Sequence, residues 1–200
     1  MNTKLKQSDE TVFHFDKDSH TYWIDGVEVP SITAMLDNCC YFDDTYWREE
    51  CAERGTMVHK LTADYDTGAI EEPASVENKW KGFLLAYVKA MRDLGKPRWD
   101  SVEEARVSPS YRFGGRPDRV GKLWAAVSVL DLKTGGVYDW HGIQTALQAI
   151  LVAEEYKLPP TSIVRYGLNV KDNGKYSLIE HKDVRDFDRA YEVIRRCARR

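Results

Sequence analysis

Residues 114–135 read GGRPDRVGKLWAAVSVLDLKTG, and the run from Trp124 to Lys133 inside this segment constrains the fold more than any other part of the chain. From Trp124 to Leu130 it is mostly apolar and of strand length, and it then stops at Asp131 and Lys133. Side chains of a strand alternate between its faces, so Val127, Val129, Asp131 and Lys133 share one face while Leu132 points the other way. A carboxylate at the edge of an apolar surface is costly unless it is paired or meets a cation. Pro117-Asp118 lies on the preceding strand, and a hairpin turning at Gly121-Lys122 brings Asp118 and Asp131 together at one end of a sheet. With the Leu132 carbonyl as a further oxygen donor, this end suits a hard divalent cation.

The rest of the chain supplies layers for such a sheet. Residues 11–29 alternate apolar and polar around Asp25-Gly26, which predicts a hairpin or small meander ended by Pro30. Ser31 caps a short helix, Ile32 to Asn38, and a longer one is expected from Thr45 to Tyr65 with an interruption at Gly55-Thr56. A third helix is predicted from Val76 to Leu94, stopped by Gly95 and Pro97. Three consecutive strands follow, Val102 to Val107, Tyr111 to Val120 and Trp124 to Lys133, then a helix from Trp140 to Tyr156. A strand Ser162 to Val170, an Asn173-Gly174 hairpin to a strand Tyr176 to His181, and a helix Val184 to Arg199 complete the chain. The expectation is one α/β domain over residues 1–200, a mixed central sheet flanked by helices. Residues 1–97 form its N-terminal hairpin and helical portion, and residues 98–200 its core.

Charge is unevenly spread. Residues 1–75 carry 6 basic and 16 acidic side chains, whereas residues 76–200 carry 23 and 16, so a polyanion is expected to prefer the C-terminal part. No apolar run reaches the length of a membrane span, and MNTKLKQSDETVF lacks the apolar stretch of a signal peptide. The expected location is therefore the cytoplasm, that of a host cell if the gene is a phage's, with no membrane partner.

Pro117-Asp118 followed by Asp131-x-Lys133 resembles the signature of the PD-(D/E)XK nuclease superfamily. Three further elements stand in the order that family shows: Arg54-Gly55-Thr56-Met57-Val58-His59 on an upstream helix, Glu103-Glu104 on a strand, and Gln144-x-x-x-Gln148 on the following helix. Together they are similar to the RecB-type branch, which includes phage recombination exonucleases and the nuclease domains of helicase-nucleases. The Val29-Pro30-Ser31-Ile32-Thr33 run is similar to a PSVT segment in several members. The resemblance covers about residues 20–195.

That resemblance implies a restriction-endonuclease-like core in which His59, Asp118 and Asp131, with the Leu132 carbonyl, bind Mg²⁺ or Mn²⁺. Lys133 is then catalytic, Gln144 supports the site or contacts DNA, and the upstream acid is Glu103 by strand parity with Ala105 and Val107, or else Glu104. Gln148 stands where the family usually has Tyr, and it is placed with Arg116, Arg119 and Lys122 as a DNA contact. Some relatives carry an iron-sulfur cluster with one upstream and three downstream cysteines. Here Cys39, Cys40 and Cys51 precede the motifs and only Cys197 follows, which argues against a cluster. The implied activity is metal-dependent cleavage at DNA ends in recombination, repair or phage DNA processing, with a recombination partner protein as a candidate recruiter. A structure-selective endonuclease and a non-catalytic DNA-binding module are the alternatives.

Overall fold

The computed structural model describes residues 3–6, 12–41 and 49–198. Strands β1 (Thr3–Lys6), β2 (Val12–Asp16), β3 (Thr21–Ile24) and β4 (Val27–Val29) form an antiparallel sheet in that order. Alternation drives it: Phe13, Tyr22, Ile24 and Val29 are buried while their neighbours in the strands are more exposed. Asp25 and Gly26 both have positive φ, the requirement of the tight turn that matches strand twist. Ser31 caps α1 (Ile32–Asn38), its hydroxyl accepting from the Ala34 N–H at 3.1 Å.

Helix α2 (Glu49–Asp66) runs unbroken through Gly55-Thr56, where an interruption was expected. A single interior glycine costs about 1 kcal/mol, less than the burial of Val58 and Leu61 returns. Residues 45–48 of the expected helix lie outside the described residues. Helix α3 (Lys81–Asp93) starts later than the predicted Val76, after a 3-10 turn at Pro73–Ser75. The Asn78 side chain accepts from the Trp80 N–H at 2.8 Å and holds the chain in a turn there. Among the described residues, no helix is long and apolar enough to cross a membrane.

The three strands expected between 102 and 133 become five. Strand β5 (Arg98–Val102) is followed by a separate two-stranded ribbon, β6 (Arg106–Ser108) with β7 (Phe113–Gly115), then by β8 (Arg119–Leu123) and β9 (Ala126–Lys133). The predicted Tyr111–Val120 strand splits at Arg116-Pro117-Asp118, because proline cannot donate to a ladder. The ribbon packs where Gly114 lacks a side chain: a Cβ there would lie 2.3 Å from the Tyr22 ring. Gly121-Lys122 is inside β8 rather than at the turn, which instead uses Trp124 at φ 55°.

Helix α4 (Trp140–Tyr156) then crosses over to β10 (Val164–Val170), which pairs with β11 (Tyr176–Glu180), and α5 (Arg185–Cys197) closes the chain. The central order is β11-β10-β9-β8-β5, with β9 and β10 parallel and the other pairs antiparallel. Leu130 and Leu132 of β9 pack with Leu84, Tyr87 and Met91 of α3, while Val129 packs with α1, α4 and α5. The predicted mixed sheet flanked by helices is found, and β9 is its buried centre.

Candidate functional site

The residues singled out from sequence converge at one end of the central sheet. His59 comes from α2, Asp118 immediately precedes β8, Leu132 and Lys133 end β9, and Gln144 and Gln148 stand one turn apart on α4. Glu103 follows β5 directly, and its φ of 50° puts it in a region that costs a non-glycine residue about 1–2 kcal/mol. Its N–H donates to the Asp118 carbonyl at 2.9 Å, an anchor that turns the Glu103 side chain toward His59. Strand parity does not apply, because Glu103 lies just past the end of the strand and reaches His59 through this turn. Glu104 is instead half exposed and 3.6 Å from Arg106.

Two linked groups make up the site. In the first, His59 Nδ1 lies 2.9 Å from Glu103 Oε1 and 3.3 Å from Asp118 Oδ1, and His59 Nε2 lies 3.2 Å from the Leu132 carbonyl. The other Asp118 oxygen accepts from the Leu132 N–H at 2.6 Å, which fixes the carboxylate against β9. Burial opposes a charge on His59, but the Asp118 charge and hydrogen bonds to Asp118 and Glu103 prevail and hold the imidazole up to about 10. Burial likewise pushes Asp118 up, and His59, Lys133 and the Leu132 N–H pull it below the usual carboxylate range.

In the second group, Lys133 Nζ is 2.6 Å from Asp131 Oδ2 and donates to Gln144 Oε1 at 2.9 Å. Gln148 Nε2 donates to Asp131 Oδ1 at 2.9 Å. Asp131 is raised by burial, and Asp118 adds to the rise while Lys133 opposes it. The Lys133 side chain is 20% exposed, whereas that of its counter-ion Asp131 is buried.

Of the four residues expected at DNA, only Arg116 stands at the rim of this cluster, 3.2 Å from Glu103 Oε2 and 30% exposed. Arg119 is fully buried beneath the cluster rather than facing solvent: it donates to Asp66, to Thr62 Oγ1 and to the Asp118 carbonyl, against the Tyr87 ring, and its Nη1 lies 3.6 Å from Glu103 Oε1. Gln148 is buried too and holds Asp131 rather than facing solvent. Lys122 is exposed but four residues along β8 from Asp118, about 13 Å at strand rise. Asp66, Thr62 and Tyr87 were missed. The signal was available, since His59, Thr62 and Asp66 stand at i, i+3 and i+7 on one helix face.

The donor set fits a hard cation. One ligand atom each from His59, Glu103 and Asp118 falls within 4.8 Å of the others. Donors about 2.1 Å from an octahedral ion are themselves about 3–4.2 Å apart, and His59 Nδ1 stands at 2.9 Å from Glu103 and 3.3 Å from Asp118. Two carboxylates and an imidazole beside a backbone carbonyl are oxygen and nitrogen donors of the kind that can hold a divalent cation. Glu103 joins this set in the structure, whereas Asp131 faces Lys133.

No curated protein matches this sequence. Among solved structures, a candidate exonuclease from Eubacterium rectale has 10% sequence identity and a TM-score of 0.49, over 85% of this chain and 72% of that one. The profile of the PD-(D/E)XK nuclease superfamily matches residues 44–200, a span that contains every residue of the cluster just described. The chain belongs to the PD-(D/E)XK nuclease superfamily.

Proposed function

We propose that this protein is a metal-dependent deoxyribonuclease of the RecB-type branch, an exonuclease acting at DNA ends in recombination, repair or phage DNA processing. The observation that carries the reading is the meeting of His59, Glu103 and Asp118 with the Asp131–Lys133 pair at one sheet end. Hydrolysis of a phosphodiester needs in-line attack by water and neutralisation of charge on the phosphoryl oxygens. His59, Glu103, Asp118 and the Leu132 carbonyl, with Asp131 alongside, would hold Mg²⁺ or Mn²⁺. That cation supplies positive charge beside the phosphate and acidifies water.

The chain's own groups do the positioning. Lys133 Nζ orients the attacking water or meets the developing charge, and the Asp131 carboxylate and Gln144 amide restrict where that amine can reach. Gln148 fixes Asp131 from behind. Arg116 at the rim is placed to meet a flanking phosphate. A recruiting recombination protein and a cytoplasmic setting belong to the same proposal.

The test is cleavage of end-labelled linear single- and double-stranded DNA beside a covalently closed circle, with Mg²⁺, Mn²⁺ or EDTA. Metal-dependent loss of linear DNA only supports the exonuclease, and cutting of the circle replaces it with an endonuclease. Asp118→Asn is expected to lose both cleavage and tight metal binding. An Asp118→Asn preparation that cuts as fast as wild type would refute the site.

A further inference from the structure

Immediately after Lys133 the chain makes a short loop, residues 134–139, before α4 begins at Trp140. The loop is pinned at several points. Asn169 Nδ2 donates to the Gly135 carbonyl at 2.7 Å, Arg54 Nε donates to Thr134 Oγ1 at 3.3 Å, and the Tyr138 N–H donates to His141 Nδ1 at 3.3 Å. Gly136 has no side chain where a Cβ would lie 2.9 Å from the Tyr138 ring, so that ring folds back over the loop.

Tyr138 and Trp140 then lie nearly parallel, 8° apart with centroids 6.1 Å apart. The buried His141 ring meets both edge-on, at 5.5 Å and 4.2 Å. Tyr138 is nevertheless 54% exposed and Val137 52%, a cost that core packing does not explain. The two rings wall a cleft of about 440 Å³ that Tyr41, Val137, Asp139, Ile143 and Arg189 also line. Lys133 Nζ lies 5.6 Å from the Trp140 ring centroid, so Trp140 links the cleft wall to the amine of the proposed site.

We propose that Tyr138 and Trp140 form a stacking platform for one unpaired nucleobase next to the scissile phosphate, which makes single-stranded DNA the preferred substrate class. The proposal rests on the nuclease reading and deepens it. Flat π-faces accept any base, and two cations suit the backbone that carries it, Lys133 beside Trp140 and Arg189 in the cleft lining, against the single carboxylate of Asp139. A base inside a duplex offers its faces only to its neighbours, so the platform is open to a base that has left the stack. Locking of the rings by His141 and the pinned loop reduces the ordering cost of binding.

The experiment measures affinity by fluorescence anisotropy in EDTA, where no cleavage occurs, for a short labelled single strand and a blunt duplex of equal length. Tyr138→Ala is expected to weaken single-strand binding about tenfold or more and duplex binding less than about twofold, while Tyr138→Phe binds like wild type. Single strands abasic at each position in turn should include one that loses the same factor with wild type and nothing further with Tyr138→Ala. Equal losses on both DNA forms, or none, overturn the platform. Failure is assignable: a wild type that neither binds nor cuts DNA refutes the nuclease reading, whereas a wild type that cuts DNA beside an unaltered Tyr138→Ala affinity refutes the platform alone. Thermal melts of both variants confirm that they are folded.

Discussion

Two ionic groups lie back to back at the start of β8, built from the same kinds of side chain. Arg119 directs its donors to neighbours packed around it: Asp66, Thr62, the Tyr87 hydroxyl and the Asp118 carbonyl accept its protons, Glu103 lies 3.6 Å away, and Tyr87 donates to Asp66 at 2.5 Å. Arg119 is fully buried and its charged form is favoured over the ordinary guanidinium's; burial opposes this, and the surrounding acceptors outweigh it. Around Lys133 the set is left open. The Lys133 side chain is part exposed, Asp131 is raised by burial, and three side chains that could hold a cation converge at the same sheet end. A saturated network can only hold strands and helices together, whereas an unsaturated one has capacity left for water, phosphate and metal.

The sharpest way to break this contrast is Arg119→Met. It leaves Asp66 buried without its cation, and the expected loss is about 3–5 kcal/mol of unfolding free energy, read as a lower urea midpoint. Adding Asp66→Asn should recover part of it. A single variant as stable as wild type would mean the network holds nothing. Lys133→Ala should behave in the opposite sense, lowering the cleavage rate at least about hundredfold with little change in stability. Full turnover in a clean Lys133→Ala preparation would sink the mechanism.

A smaller effect lies in the support of the site. Burial, with the Lys133 and His181 charges, lowers His141 from its usual range to about 3. The unfolded chain therefore binds a proton that the folded one does not as pH falls through 6.5, so stability is lost toward acid. Between pH 7 and pH 5 this one group contributes a loss of about 2 kcal/mol, and urea titrations of His141→Gln should lack that part of the slope. A parallel pH dependence in variant and wild type would remove His141 from the account. The smallest effect is expected at Lys122, where Ala should change stability by less than about 0.5 kcal/mol and cleavage hardly at all.

From sequence alone, local rules and spacing determined a good deal. Helices α1 and α4 follow directly from a serine cap and an apolar run, and the Asp25-Gly26 hairpin from its turn chemistry. Alternation along β9 placed Asp131 and Lys133 on one face, and the structure covers that face with α4. Those features depend on a few neighbouring residues, so periodicity and capping make them legible.

Only tertiary structure decided the partners. Gln148 proved to be a brace for Asp131 and Arg119 a buried tie to α2, because burial depends on which helix lands on which face rather than on residue type. Glu103 reached the cluster through a left-handed backbone turn held by Asp118, fifteen residues away in the chain. Spacing along a strand cannot encode such a turn, since the hydrogen bond that stabilises it exists only once β5 and β8 have paired.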